Sequence, residues 1–121
     1  MINARQQVYD ALLTVCDNVK MSRPEGQISL PLIVYAEMAN VPVNKAYVRI
    51  RWRVAVYCST FKNLVELVDA TDNVMSETLG FTRVNKTPDA DARIGTDLYL
   101  CRLDYSGIVN IKTLGVIKYS T

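Results

Sequence analysis

The sequence predicts a two-layer α+β fold: an antiparallel or mixed β-sheet with two amphipathic helices packed on one face, in the order α-β-β-α-β-β-β. Three stretches carry that expectation. Ala46–Ser59 (AYVRIRWRVAVYCS) alternates, with Ala46, Val48, Ile50, Trp52, Val54, Val56 and Cys58 on one side and Tyr47, Arg49, Arg51, Arg53, Ala55 and Tyr57 on the other. A period of two in β-branched and aromatic residues marks a strand with one buried and one accessible face. A slip of one residue would bury three arginines and expose the only tryptophan, so the register is strongly specified. Two further stretches, Ile2–Val19 and Thr60–Leu79, repeat apolar residues at spacings of three and four and supply the covering layer.

In chain order, Ala4, Val8, Ala11, Leu12, Val15 and Val19 form the apolar stripe of the first helix, with Asn3 as its cap and Gln6 as the capping-box partner. Pro24 and Gly26 end it in a turn. Ile28–Met38 reads as a strand with Pro31 near its start, an edge or entry position. The short Asn40–Lys45 connection then makes it an antiparallel partner of the alternating strand. Ser59 or Thr60 caps the second helix, whose apolar face is Phe61, Leu64, Val65, Val68, Thr71, Met75 and Leu79, and Gly80 ends it in the left-handed conformation. Phe81–Asn85 is a short strand, Lys86–Thr96 a polar loop and Asp97–Tyr105 another strand. Ser106-Gly107 reads as a tight turn, and Ile108–Tyr119 as one or two more strands broken near Gly115.

A chain of 121 residues is expected to be a single α+β domain, residues 1–121, with one core. A formal charge of +2 is too small to argue for a nucleic-acid or membrane partner from composition. Cys16, Cys58 and Cys101 are odd in number and widely spaced, so they read as small core residues in a reducing compartment rather than as a disulfide framework. The opening MINARQQVYD lacks the apolar run of a signal peptide, and no stretch is long enough to cross a bilayer, so a soluble intracellular product is expected.

The chemistry of catalysis is thinly represented. There is no histidine, which removes the commonest general acid/base, the Ser-His-Asp and Cys-His arrangements and most zinc sites. The five glycines are too scattered for a phosphate-cradling loop. Asp89, Asp91 and Asp97 suggest a hard-cation site, but Arg93 stands where the third carboxylate belongs and Gly95 falls one position late, so a solvated loop outweighs a metal cage. Neither metal nor cofactor is expected, and the chain reads as a non-enzyme.

Arg49, Arg51 and Arg53 are the most suggestive polar feature. Alternate side chains of a strand repeat at about 6.6–6.8 Å, which sets three guanidinium groups in a row flanked by Tyr47 and Tyr57. Such a row can face the phosphates of a single strand, with tyrosines stacking on bases. Its more ordinary use is a solvated sheet face paired to carboxylates such as Glu37 or Asp104. An Arg- and Tyr-rich face is also what protein interfaces favour at their anchor points. Asp72, at the margin of the second helix's apolar face, calls for a cationic partner or for water.

The succession of a helix, the Pro-containing strand LPLIVYAEM, the alternating strand VRIRWRVAVYCS and the helix NLVELVDATDNVMSETLGF is similar to the small tail-terminator, or tail-completion, proteins of long-tailed bacteriophages, from Met1 to Tyr105. Head-tail joining proteins of similar size are close competitors. The resemblance implies a non-enzymatic virion protein that assembles in the host cytoplasm as a homo-oligomeric ring, usually a hexamer. It would cap the head-proximal end of the tail, with the tail-tube protein and the head-tail connector as partners, no membrane, and nucleic acid only as the passing genome. A closed ring needs two different patches of one subunit to meet. The candidates are the row of Tyr47, Arg49, Arg51, Arg53 and Tyr57 and the loop bearing Asp89, Asp91 and Arg93, with acidic groups of the loop or second helix expected to approach a neighbour's arginines. A small nucleic-acid-binding module is the alternative.

Overall fold

A computed structural model describes residues 4–21, 29–87, 93–113 and 115–116. Helix α1 (Arg5–Leu13) is followed by strands β1 (Val19–Lys20), β2 (Leu32–Pro42) and β3 (Tyr47–Cys58), helix α2 (Phe61–Asn73) with a π-helical continuation over Val74–Thr78, and strands β4 (Thr82–Thr87), β5 (Arg93–Gly95) and β6 (Leu98–Asn110). The sheet runs β1-β2-β3-β6-β4, with β5 also paired to β6. All pairings are antiparallel except the short parallel β1–β2 contact. The fold is the predicted α+β architecture with a mixed sheet, with two extra strands: β5, inside the stretch Lys86–Thr96 expected to be a polar loop, and β1, between α1 and β2.

That strand exists because the first helix is shorter than its apolar stripe. The Thr14 hydroxyl donates to the Ala11 carbonyl at 2.6 Å, and the chain turns out of helix soon after. Val19, expected on the helix, instead pairs with Ile33 in β1. Gln6 donates to Asp10 at 2.8 Å rather than closing a capping box, and Asn3 and the Pro24–Gly26 turn lie outside the described residues. Strand β2 begins after Pro31, whose missing N–H suits an entry position, and runs on to Pro42, leaving only residues 43–46 to connect to β3. Ala46, assigned to the apolar face, lies exposed in that connection.

Helix α2 starts as expected, with the Thr60 hydroxyl accepting from the Asn63 N–H at 3.2 Å. Its buried stripe, Leu64, Val68, Thr71 and Met75, is narrower than the periodicity implies. Phe61 and Val65 are exposed, and Phe61 rests edge-on against Tyr99 with ring centroids 6.1 Å apart. Gly80 ends the helical run at φ 85°. Both helices bury their stripes against Val48, Ile50, Trp52, Val54 and Val56 of β3 and their neighbours, forming one core. Trp52 sits at its centre, flanked by Tyr35 at 6.1 Å and Phe81 at 6.5 Å. The three cysteines are buried, as expected of small core residues.

Three further expectations about strands fail. Ile108 opens no separate strand, because Ile108–Asn110 is the end of β6 and residues 111–113 form a turn. Ser106-Gly107 is not a turn, since β6 passes straight through it and pairs Ser106 with Arg51 and Gly107 with Ile50. A Cβ at Gly107 would stand 2.6 Å from Cδ1 of Phe81, so the glycine makes room for a ring packed on the strand. The alternation of β3 also ends early. Ala55 and Tyr57 are buried in a second small cluster with Leu32 and Leu100, which makes this end of the strand apolar on both faces.

Candidate functional site

The face of the sheet away from the helices carries the arginine row, and register decides what each arginine meets. Arg53 lies between Ala36 and Asp104, and its Nε donates to Asp104 Oδ1 at 2.9 Å. Both partners are partly solvated, so the bond contributes about 1 kcal/mol or less. Arg51 lies between Ala39 and Ser106, and Arg49 between Val41 and Ile108. No carboxylate stands opposite either one. Both are exposed, and among the described residues neither makes a salt bridge.

Glu37, the other expected partner, does not serve the row. It pairs across from Trp52, which places it on the helix side, and the shift in register between Glu37 and Ala39 separates it from the arginines. There it meets Arg5 of α1 at 3.6 Å. The flanking tyrosines are also unequal. Tyr47 is half-buried at the start of β3, whereas Tyr57 is 7% exposed and belongs to the second apolar cluster, so it offers no ring for stacking.

Arg49 and Arg51 line an open groove of about 840 Å³ with Ser106 of β6, Thr82 and Arg83 of β4, and Glu77 of the π-helical segment. Arg83 is the residue that sequence reasoning missed. It pairs across from Tyr105 at the start of β4 and reaches Asp72 of α2, with Nη1 3.5 Å from Oδ2. Asp72 Oδ1 also accepts a 2.9 Å hydrogen bond from the Tyr105 hydroxyl. Burial, reinforced by this carboxylate, pushes the Tyr105 hydroxyl well above its ordinary pKa. Asp72 therefore has the cationic partner its position called for and ties α2 to β6 and β4. Only the register of a short, bulged strand brings Arg83 to this groove, and no local pattern announces it.

Of the loop residues, Arg93 is exposed in β5, and its Nε donates to the Gly95 carbonyl at 3.2 Å. Asp97 occupies the β5–β6 turn with φ 53°, a conformation Asp tolerates better than most residues. Asp89 and Asp91 lie outside the described residues. The structure thus leaves Arg49 and Arg51 side by side on the outer face, sets Arg83 on the helix side of the same groove, diverts Arg53 to Asp104 and withdraws Tyr57. Among the described residues, no group of three Cys, Asp or Glu side chains is placed to hold a metal ion, and no helix is long and apolar enough to cross a membrane. The chain matches no protein-family model and no curated protein sequence.

Proposed function

We propose that this chain is a non-enzymatic, ring-forming structural protein of a long-tailed bacteriophage, the tail terminator that caps the head-proximal end of the tail tube and meets the head connector. The observation that carries the reading is the pair Arg49 and Arg51: two exposed guanidinium groups held at fixed spacing on a rigid central strand, with no carboxylate opposite either one in the described chain. A strand buried on its other face positions these groups at little conformational cost, which suits a repeated contact between identical subunits. The nucleic-acid alternative needs stacking rings beside the cations. Burial of Tyr57 and engagement of Arg53 by Asp104 weaken it.

The test is assembly of the purified full chain. Native mass spectrometry across a concentration series is expected to show a closed oligomer, with a hexamer as the leading stoichiometry. Arg51→Glu is expected to raise the concentration needed for assembly while leaving the thermal midpoint of the subunit unchanged, because Arg51 lies outside the core. A variant ring as stable as the wild type would count against the reading.

A further inference from the structure

We infer that the two open edges of the sheet meet between copies of this chain: β4 of one subunit pairs antiparallel with the far edge of β2 in the next. The inference rests on the ring reading and names the backbone contact that propagates it. The strand order β1-β2-β3-β6-β4 puts β4 at one edge, paired only to β6 on its inner side. At the other edge β1 pairs with Ile33 and Val34 alone, so residues 37–42 of β2 have no strand beside them among the described residues.

Backbone alternation decides which hydrogen-bonding groups these edges offer. The Val43 N–H donates to the Tyr47 carbonyl at 2.9 Å, so the backbone groups of Val41 and Ala39 also face β3 and those of Asn40 face out. Pro42 faces out as well, where its missing N–H breaks no bond of the sheet. At the opposite edge, the Asn110 N–H donates away from β3 to the Gly115 carbonyl, so the even-numbered residues of β6 bond toward β4. Thr82, Asn85 and Thr87 stand opposite such residues, which leaves Arg83 and Lys86 facing out. The Lys86 N–H accordingly donates to Asn85 Oδ1 at 2.9 Å. Each edge also carries one bulge whose extra residue, Met38 or Val84, is an exposed apolar side chain. Unpaired backbone groups beside exposed apolar side chains are a template for another strand, and the bulges make that template selective.

Charge and direction select β4 as the partner of β2. Strand β4 carries Arg83 and Lys86 and no acid, whereas residues 37–42 carry Glu37 and no base. Pairing either edge with its own kind sets like charges together; pairing one with the other sets opposite charges together. Glu37 and Arg83 each keep a partner in their own chain, Arg5 at 3.6 Å and Asp72 at 3.5 Å, so they steer the approach more than they seal it. Strand β3 runs against both β2 and β6, and β6 against β4, so the two edges point in opposite directions. Repeating the subunit about an axis along the strands therefore brings β4 antiparallel to the next β2 and keeps every arginine row on one face. Arg49 and Arg51 stand one strand in from the receiving edge, about 10 Å from the incoming β4 and within reach of the Asn85 and Thr87 side chains on that face.

The experiment combines hydrogen exchange and native mass spectrometry of the full chain, with circular dichroism as the folding control. On assembly of the wild type, exchange at the Asn40 and Arg83 amides is expected to slow about tenfold. Asn40→Pro removes an outward N–H from β2 and Lys86→Pro removes one from β4, neither of them bonded across the sheet. Each is expected to raise the half-assembly concentration about tenfold. Mixed at a concentration where each alone is monomeric, the two variants are expected to form a 1:1 pair, because one keeps a whole β4 edge and the other a whole β2 edge. Dimers of Lys86→Pro alone would show β2 pairing with itself and overturn the inference. It is overturned equally by a mixture that forms no pair, or by a ring whose Asn40 and Arg83 amides exchange as in the monomer. A wild type that stays monomeric at every concentration would instead fail the ring reading itself.

Discussion

At the scale of single residues, the core contains two polar atoms with no hydrogen-bond partner among the described residues, Trp52 Nε1 and Thr71 Oγ1. Trp52 offsets its orphaned donor with a large buried ring between Tyr35 and Phe81. Thr71 has no such compensation: it is fully buried on the inner stripe of α2, where helical periodicity places it among Leu64, Val68 and Met75. A hydroxyl removed from water without a partner costs about 1–3 kcal/mol. Thr71→Val keeps the branched shape and removes that cost, so it is expected to stabilise the protein by about 1 kcal/mol. Urea denaturation checks this, and a midpoint at or below the wild type's would mean the hydroxyl finds a partner.

At the scale of elements, what the sequence revealed depended on whether a segment's partner was local. Periodicity found α2 with its Thr60 cap and Gly80 terminator, and the alternation of β3 found the buried line from Val48 to Val56, because each signal is internal to its segment. Ser106-Gly107 misled because the requirement for glycine there is tertiary: Phe81, more than twenty residues earlier, packs where a Cβ would stand. Tyr57 misled in the same way, since its cover comes from Leu32 of β2 and Leu100 of β6. In the candidate site, the arginine row was legible, but its division into engaged Arg53 and unengaged Arg49 and Arg51 follows from cross-strand register, as does the arrival of Arg83. Gly107→Ala tests the tertiary explanation. The added methyl forces Phe81 away from the strand, at a cost of about 1–3 kcal/mol. Adding Phe81→Leu is expected to recover part of that loss in chemical denaturation; equal losses with and without it would place the strain elsewhere.

At the scale of the whole molecule, the buried acids of the core respond to alkali, whereas the proposed ring contact responds to salt, so pH and salt separate stability from assembly. Burial, with a smaller contribution from neighbouring Cys16, pushes the Cys58 thiol from an ordinary 9.0 up to about 11. Its protonated form is thus favoured in the folded state, and the stability it contributes is fully present below pH 9 and is lost as pH rises toward about 11. Tyr105, raised from 10.0, extends the loss further into alkali. Alkali is therefore expected to unfold the subunit, whereas salt at neutral pH is expected to dissociate a ring held by Arg49 and Arg51 with the subunits still folded. Urea midpoints at pH 8, 9.5 and 11 check the first half: the wild type should decline steeply above pH 9. Cys58→Ala should start lower, because it leaves a cavity, yet decline less between pH 9 and 11. Parallel declines for the two proteins would show that the thiol's proton is not what folding retains, and would leave Cys16, Tyr35 and Tyr105, all raised by burial, as the groups behind the alkaline limit.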